Sequence, residues 1–173
     1  MKSFIRFVLY ILLAVVSTAA FAQSDAQKSF TQLKSLAGTW EGNVKVTPPV
    51  PEMDGKLMHV TLRVTSMGNA LMHEMTGEGR PDDPITMLYV DDGRLTLIHY
   101  CDAGNRPRMV AKPSADGKTV DFEFLDVTGN LKFGHMHHAA FTPVDADHHI
   151  EDWTFMVGAD KHVNAHVELH RVK

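Results

Sequence analysis

The chain has one cysteine, Cys101, in 173 residues. No internal disulfide can form, so the fold must stand on its apolar core. It has no Gly-x-Ser-x-Gly elbow, no phosphate-cradling loop and no dinucleotide fingerprint, which excludes the enzyme classes built on those motifs. It lacks an excess of positive charge. Its 17 Lys and Arg stand against 21 Asp and Glu, a formal net charge of −4, and nucleic-acid surfaces need the opposite sign. No internal repeat and no low-complexity tract occurs. Beyond residue 22 no segment is apolar enough to span a membrane, which takes about 20 residues.

The first residues read as a targeting segment. Lys2 and Arg6 open it, Phe7 to Ala20 is an uncharged apolar run, and Ala20-Phe21-Ala22 fits a small-x-small cleavage site. The expectation is a signal peptide over residues 1–22 and a single mature domain over 23–173, periplasmic or secreted. Losing Lys2 and Arg6 and no acid takes the net charge from −4 to −6. No cysteine lies near the cleavage site to carry a lipid anchor.

Ser24 to Leu36 reads as a short helix, with Phe30, Leu33 and Leu36 on one stripe and Gly38 ending it. From there the period switches to two. Met58, Val60, Leu62 and Val64 alternate with His59, Thr61, Arg63 and Thr65. Further strands are expected at Ala70 to Thr76, Ile85 to Val90, Leu95 to Cys101, Arg108 to Ala111, Val120 to Leu125, His135 to Phe141, His149 to Val157 and Asn164 to Val172. Turn signals separate them, most clearly Asp91-Asp-Gly93 and Asp116-Gly117. With no helices between strands, the expected class is all-β. The prediction is an antiparallel meander closed into a barrel of about 8 to 10 strands with a short N-terminal plug helix, a size that leaves room for side chains or one small ligand.

Phe30-x-x-Leu33-x-x-Leu36-Ala-Gly38-Thr-Trp40-x-Gly42 resembles the start of the calycin barrels: lipocalins, fatty-acid-binding proteins and, more distantly, nitrobindins. The resemblance implies a helix plugging one barrel end, with the tryptophan packed beneath it on the first strand. With His99-Tyr-Cys, Gly104-Asn-x-Pro-Arg-Met109, Gly134-His-Met-His137 and Glu151-x-Trp153, the whole mature chain also looks like a family of uncharacterised bacterial secreted proteins of lipocalin-like type. That resemblance speaks to fold rather than to function. Nitrobindins bind haem through a histidine near the C-terminal end of the barrel, and His162 is the position here that best resembles it.

The segment Leu95 to Met109 concentrates the reactive residue types. Strand parity puts Leu95, Leu97, His99 and Cys101 on one face, inward, and Tyr100 on the other. His99 is then either a satisfied core histidine or the polar anchor of an apolar pocket. Arg108 returns on the next strand. Inward, it would hold a carboxylate or phosphate with two parallel hydrogen bonds; otherwise it forms a salt bridge with Asp126 or Glu151. His135 and His137 share a face with Ala139 and Phe141. His-x-His on a strand suits zinc or copper, with His99 as the third ligand. The pair is similar to the cupin motif, but the following glutamate is missing. Glu151 and Trp153 share a face with His149 and Phe155. A buried acid there needs a partner, for which Arg108, His99 and His137 are the candidates. A carboxylate–histidine pair could serve as a general base, and Cys101 with His99 as nucleophile and base, but structural pairing and an inert buried thiol are the commoner outcomes. His148-His149 reads as a solvated turn. Of the ten methionines, Met58, Met67, Met72, Met75, Met87, Met109, Met136 and Met156 are spread over many strands and read as adaptable core filler.

The expected function is an exported barrel that binds a small apolar or amphipathic molecule. His99, Tyr100, Arg108, His137, Glu151 and Trp153 form its polar cluster at one end. No catalytic residue, obligate protein partner or required cofactor is inferred. The alternative is a metal site at His99, His135 and His137, or haem at His162.

Overall fold

The computed structural model describes residues 24–80, 83–114, 117–158 and 160–173. The expected signal peptide, with its cleavage site, and parts of the turns at 79–84, 116–117 and 157–160 lie outside the described residues.

Helix α1, Asp25–Lys34, is capped by Ser24, whose side chain accepts from the Gln27 amide at 3.3 Å. Ten strands follow: β1 Gly38–Thr47, β2 Leu57–Thr65, β3 Ala70–Gly77, β4 Ile85–Asp91, β5 Arg94–Tyr100, β6 Asn105–Pro113, β7 Val120–Gly129, β8 His135–Pro143, β9 His148–Met156 and β10 His162–Arg171. Each pairs antiparallel with its neighbour in sequence, and β10 pairs with β1. The all-β meander is therefore a closed barrel, which leaves no free sheet edge.

Local chemistry explains the turns. The β4–β5 hairpin turns on Asp92 and Gly93, at φ 46° and 72°, the double positive φ that an Asp-Gly two-residue turn supplies. At the start of β8, Gly134 has φ 91°, and a Cβ there would collide with the Met156 carbonyl oxygen; only glycine fits.

The helix closes one end of the barrel. Phe30, Leu33 and Leu36 are buried with Trp40, Leu71, Leu88, Leu95, Leu97, Phe122 and Leu169 in one continuous core. The Trp40 indole donates to the Leu36 carbonyl at 2.8 Å, and the Arg171 guanidinium lies 4.0 Å from the Trp40 ring centroid while donating to the Ala37 carbonyl at 2.9 Å. Helix, first strand and last strand are thus tied together at this end. The other end carries the loops β1–β2, β3–β4, β5–β6, β7–β8 and β9–β10.

Two bulges interrupt the ladder. One lies between Arg108 and Met109 against β7, the other between Met136 and His138 against β9. The first puts its extra residue on β7, at Leu125, and leaves β6 in regular alternation; the second puts it on β8, at His137, and shifts which β8 residues face inward.

Candidate functional site

The inward faces of β3, β5 and β9 climb the barrel from the helix-capped end toward the open one. On β9 the order is His149, Glu151, Trp153, Phe155; on β5 it is Leu95, Leu97, His99; on β3 it is Leu71, His73, Met75. Side chains fill the lower levels. Above Trp153 and His99 the interior opens into a cavity of about 280 Å³.

Met58, Met75, Met136, Phe155, Val163 and Ala165 form the wall of this cavity. Val50, Glu52, Met53 and Lys56 of the β1–β2 loop, with Glu78, Arg80 and Asp102, ring its mouth. The loop is held over the opening by Asp54, whose carboxylate accepts from the Val46 amide at 2.8 Å. An apolar wall with few polar groups is the composition of a small-molecule site.

Beneath the floor lies a buried polar network. The Glu151 carboxylate accepts from the His73 Nε2–H at 3.0 Å, the His149 Nε2–H at 3.0 Å and the Trp153 indole N–H at 3.0 Å. His73, His149 and Glu151 are all at most 1% exposed. Burial by itself pushes the Glu151 carboxyl up. The charge of His73 and the hydrogen bonds from His149 and His73 outweigh it and hold the group well below the usual carboxylate range. Donation from Nε2 leaves Nδ1 of both imidazoles without a partner among the described residues. Rings pack the network in place: His149 meets Trp40 edge-on with centroids 4.3 Å apart, and His73 lies 5.5 Å from Trp153.

His99 belongs to the floor itself. Its Nδ1 is 2.8 Å from the Thr86 hydroxyl, its ring centroid is 5.6 Å from that of Trp153, and it is 1% exposed. Burial, then the charge of His73, lowers its pKa to about 4, so the ring is neutral at neutral pH.

The structure brings two of the expected ligand residues, His99 and Trp153, to the cavity, and sets Glu151 one layer below as the acceptor for the Trp153 indole. Arg108 faces out. It forms a two-pronged ion pair with Asp126, with Nε to Oδ1 at 2.7 Å, so of its two readings the salt bridge with Asp126 is the one found. Strand β6 alternates regularly, with Asn105, Pro107 and Met109 buried and Arg106 and Arg108 exposed, so Met109 takes the inward place by its own parity. Tyr100 follows its parity outward, 48% exposed, and does not line the cavity. His137 does not meet His99 or Glu151. It stacks with His135 on the Phe124 ring, at centroid separations of 4.5 and 4.9 Å, because the bulge breaks the alternation that would align it with Ala139. Burial, then the charges of His135 and His138, lower the His137 pKa.

The partners of Glu151 are therefore His73 and His149, not Arg108, His99 or His137. His149 is a buried network member rather than part of a solvated turn; only His148 is exposed there. His73 was legible by the same reasoning as His99, since it lies two residues from Leu71 on an alternating strand.

The three histidines of the expected metal site do not form one cluster, and no group of three or more His, Cys, Asp or Glu among the described residues can hold a metal ion. His162 is exposed at the start of β10. Its neighbour Val163 lines the cavity instead, and the β9–β10 ladder runs without a bulge that would turn His162 inward. His162 in this arrangement does not fit a haem seated in the cavity.

No family model and no curated protein sequence matches the chain. Among solved structures it is similar to Rv2717c from M. tuberculosis, at 14% identity and a TM-score of 0.62, over 84% of this chain and 98% of that one. It is also similar to a protein of unknown function of the DUF3598 family from Nostoc punctiforme, at 10% identity and a TM-score of 0.52, over 81% of this chain and 49% of that one. The chain thus spans about half of the second protein. Identities this low show a shared barrel fold and nothing of a shared ligand.

Proposed function

We propose that this is an exported, lipocalin-like barrel that binds one small, mainly apolar molecule at its open end. The observation that carries the reading is the cavity of about 280 Å³ above His99 and Trp153, walled by methionine thioethers, Phe155 and Val163. A side-chain-filled interior would have left only a structural or partner-binding role. The volume lies at the small end of ligand pockets. Unbranched, polarizable methionines suit a wall that adapts to its occupant. Export rests on the leader features of residues 1–22, and the lipocalin-like relationship on the helix, Gly38 and Trp40. No helix among the described residues is long and apolar enough to cross a membrane.

The direct test is purification from the periplasm, followed by native mass spectrometry and an absorption spectrum. A stoichiometric small molecule with no Soret band supports the reading, provided that filling the cavity with Ala165→Trp removes it. A Soret band, or a molecule retained equally by the filled variant, overturns it.

A further inference from the structure

The floor of the cavity specifies the chemistry of its occupant more narrowly than its apolar wall does. Thr86 is fully buried, and among the described residues its hydroxyl has one hydrogen-bond partner, His99 Nδ1 at 2.8 Å. Two proton assignments exist for this contact. If Nδ1–H donated to the hydroxyl oxygen, the hydroxyl proton would be buried with nothing to receive it, a loss comparable to an unmade hydrogen bond. If the hydroxyl donates to Nδ1, both groups are satisfied and the ring proton must reside on Nε2. No hydrogen bond from the described residues reaches Nε2, and His99 lines the cavity. A single N–H therefore faces the cavity from a ring that is neutral, its pKa lowered by burial to about 4.

The charges around the cavity are arranged against an anion at that depth. Lys56 and Arg80 stand at the mouth with Glu52, Glu78 and Asp102, and Arg80 is 2.6 Å from the Asp102 carboxylate. The layer under the floor holds the Glu151 carboxylate, hydrogen-bonded to the Trp153 indole. An anionic head on His99 would be a buried charge with no cation in contact. A hydroxyl head would accept from Nε2–H but point its own proton at methionine sulfurs, which are weak acceptors.

We infer that the cavity selects an uncharged, largely apolar molecule bearing an acceptor oxygen, such as a ketone, ester or ether, and that the His99 Nε2–H donates to that oxygen. This rests on the pocket reading above and goes further by naming the ligand class and the residue that reads it.

The test uses the mature protein with labelled methionine methyl groups, titrated with octan-2-one, octane and octanoate while Met58, Met75 and Met136 are followed by NMR. The ketone is expected to bind up to about tenfold more tightly than octane, the margin of one net hydrogen bond, and more tightly than octanoate. His99→Phe should remove the margin and leave octane binding in place. Nitrogen-15 shifts of His99 in the unsubstituted protein should show a protonated Nε2 and a bare Nδ1, a readout that does not depend on the variant folding. Equal binding of ketone and octane, preference for octanoate, or a proton on Nδ1 overturns the inference while leaving the pocket standing. Absence of binding by all three overturns the pocket reading, and the inference with it.

Discussion

The two ends of this barrel are built from the same alternating strands but reach different solutions. At the helix-capped end, Phe30, Leu33, Trp40, Leu71, Leu95 and Phe122 are buried against one another in one continuous core. At the other end the same inward positions carry Met58, Met75, Met136 and Phe155 around open space. Between the two lies the Glu151 layer, a fully buried polar network in an otherwise apolar column. Filled core and open space are thus separated along the barrel axis. The closed end holds the fold, the open end is free to be hollow, and the polar layer sets the height at which packing stops.

The largest effect should come from breaking the layer between the ends. Glu151→Leu leaves two buried imidazoles without their shared acceptor. It should cost about 3–5 kcal/mol, the usual result of removing one partner from a buried charged network, read as a loss in urea unfolding free energy.

Next is the packing contrast itself. Leu33→Ala at the closed end should cost about 2–5 kcal/mol, because a cavity opens in a filled core. Met75→Ala at the open end removes atoms that already border empty space, and should cost less than half as much. Equal losses in urea unfolding would erase the distinction between the two ends.

A comparable but graded effect is expected from acid. His99 is neutral in the folded protein down to about pH 4, whereas in the unfolded chain it takes up a proton near its ordinary value of about 6.5. The unfolded state therefore binds more protons below pH 6.5, and stability should fall by about 3 kcal/mol as the pH drops from 6.5 to 4. Glu151 has a depressed folded value, so its contribution is present above its unfolded value and is lost at still lower pH. Urea midpoints measured across this range should slope downward, and His99→Phe should flatten the upper part of the slope. A flat profile in the unsubstituted protein would mean that His99 is not held neutral.

The smallest effect belongs outside the barrel. Arg108→Ala removes an exposed ion pair with Asp126 and should change neither the unfolding midpoint nor the affinity of an apolar probe, since such pairs contribute little. A tenfold loss of probe affinity would return Arg108 to the site.

Much of this was readable from residue order. Period-two alternation and the Asp-Gly turn placed the strands, and parity alone placed His99 and Trp153 inside and His162 and Tyr100 outside. Arg108 also followed parity, since β6 alternates with Pro107 and Met109 buried and Arg106 and Arg108 exposed. What parity could not see was the bulge in β8. Nothing in His135-Met-His137 says that Met136 reaches the cavity while the histidines stack on Phe124. A bulge is decided by how neighbouring strands fit around the closed barrel, which is a property of the whole sheet. The Glu151 network was half legible for a related reason. The buried acid was evident from its apolar neighbours, but its partners come from β3 and its own strand, and only the barrel's curvature brings His73 across to it.

A binding pocket and a packing defect at the open end respond differently to being filled. Titration of an apolar fluorescent probe into the unsubstituted protein and into Ala165→Trp, with thermal unfolding of both, tests for the pocket most directly. One probe per unsubstituted molecule, no binding by the filled variant, and a filled variant at least as stable are the expected results. Equal probe binding by both proteins, or none by the unsubstituted one, would contradict the pocket.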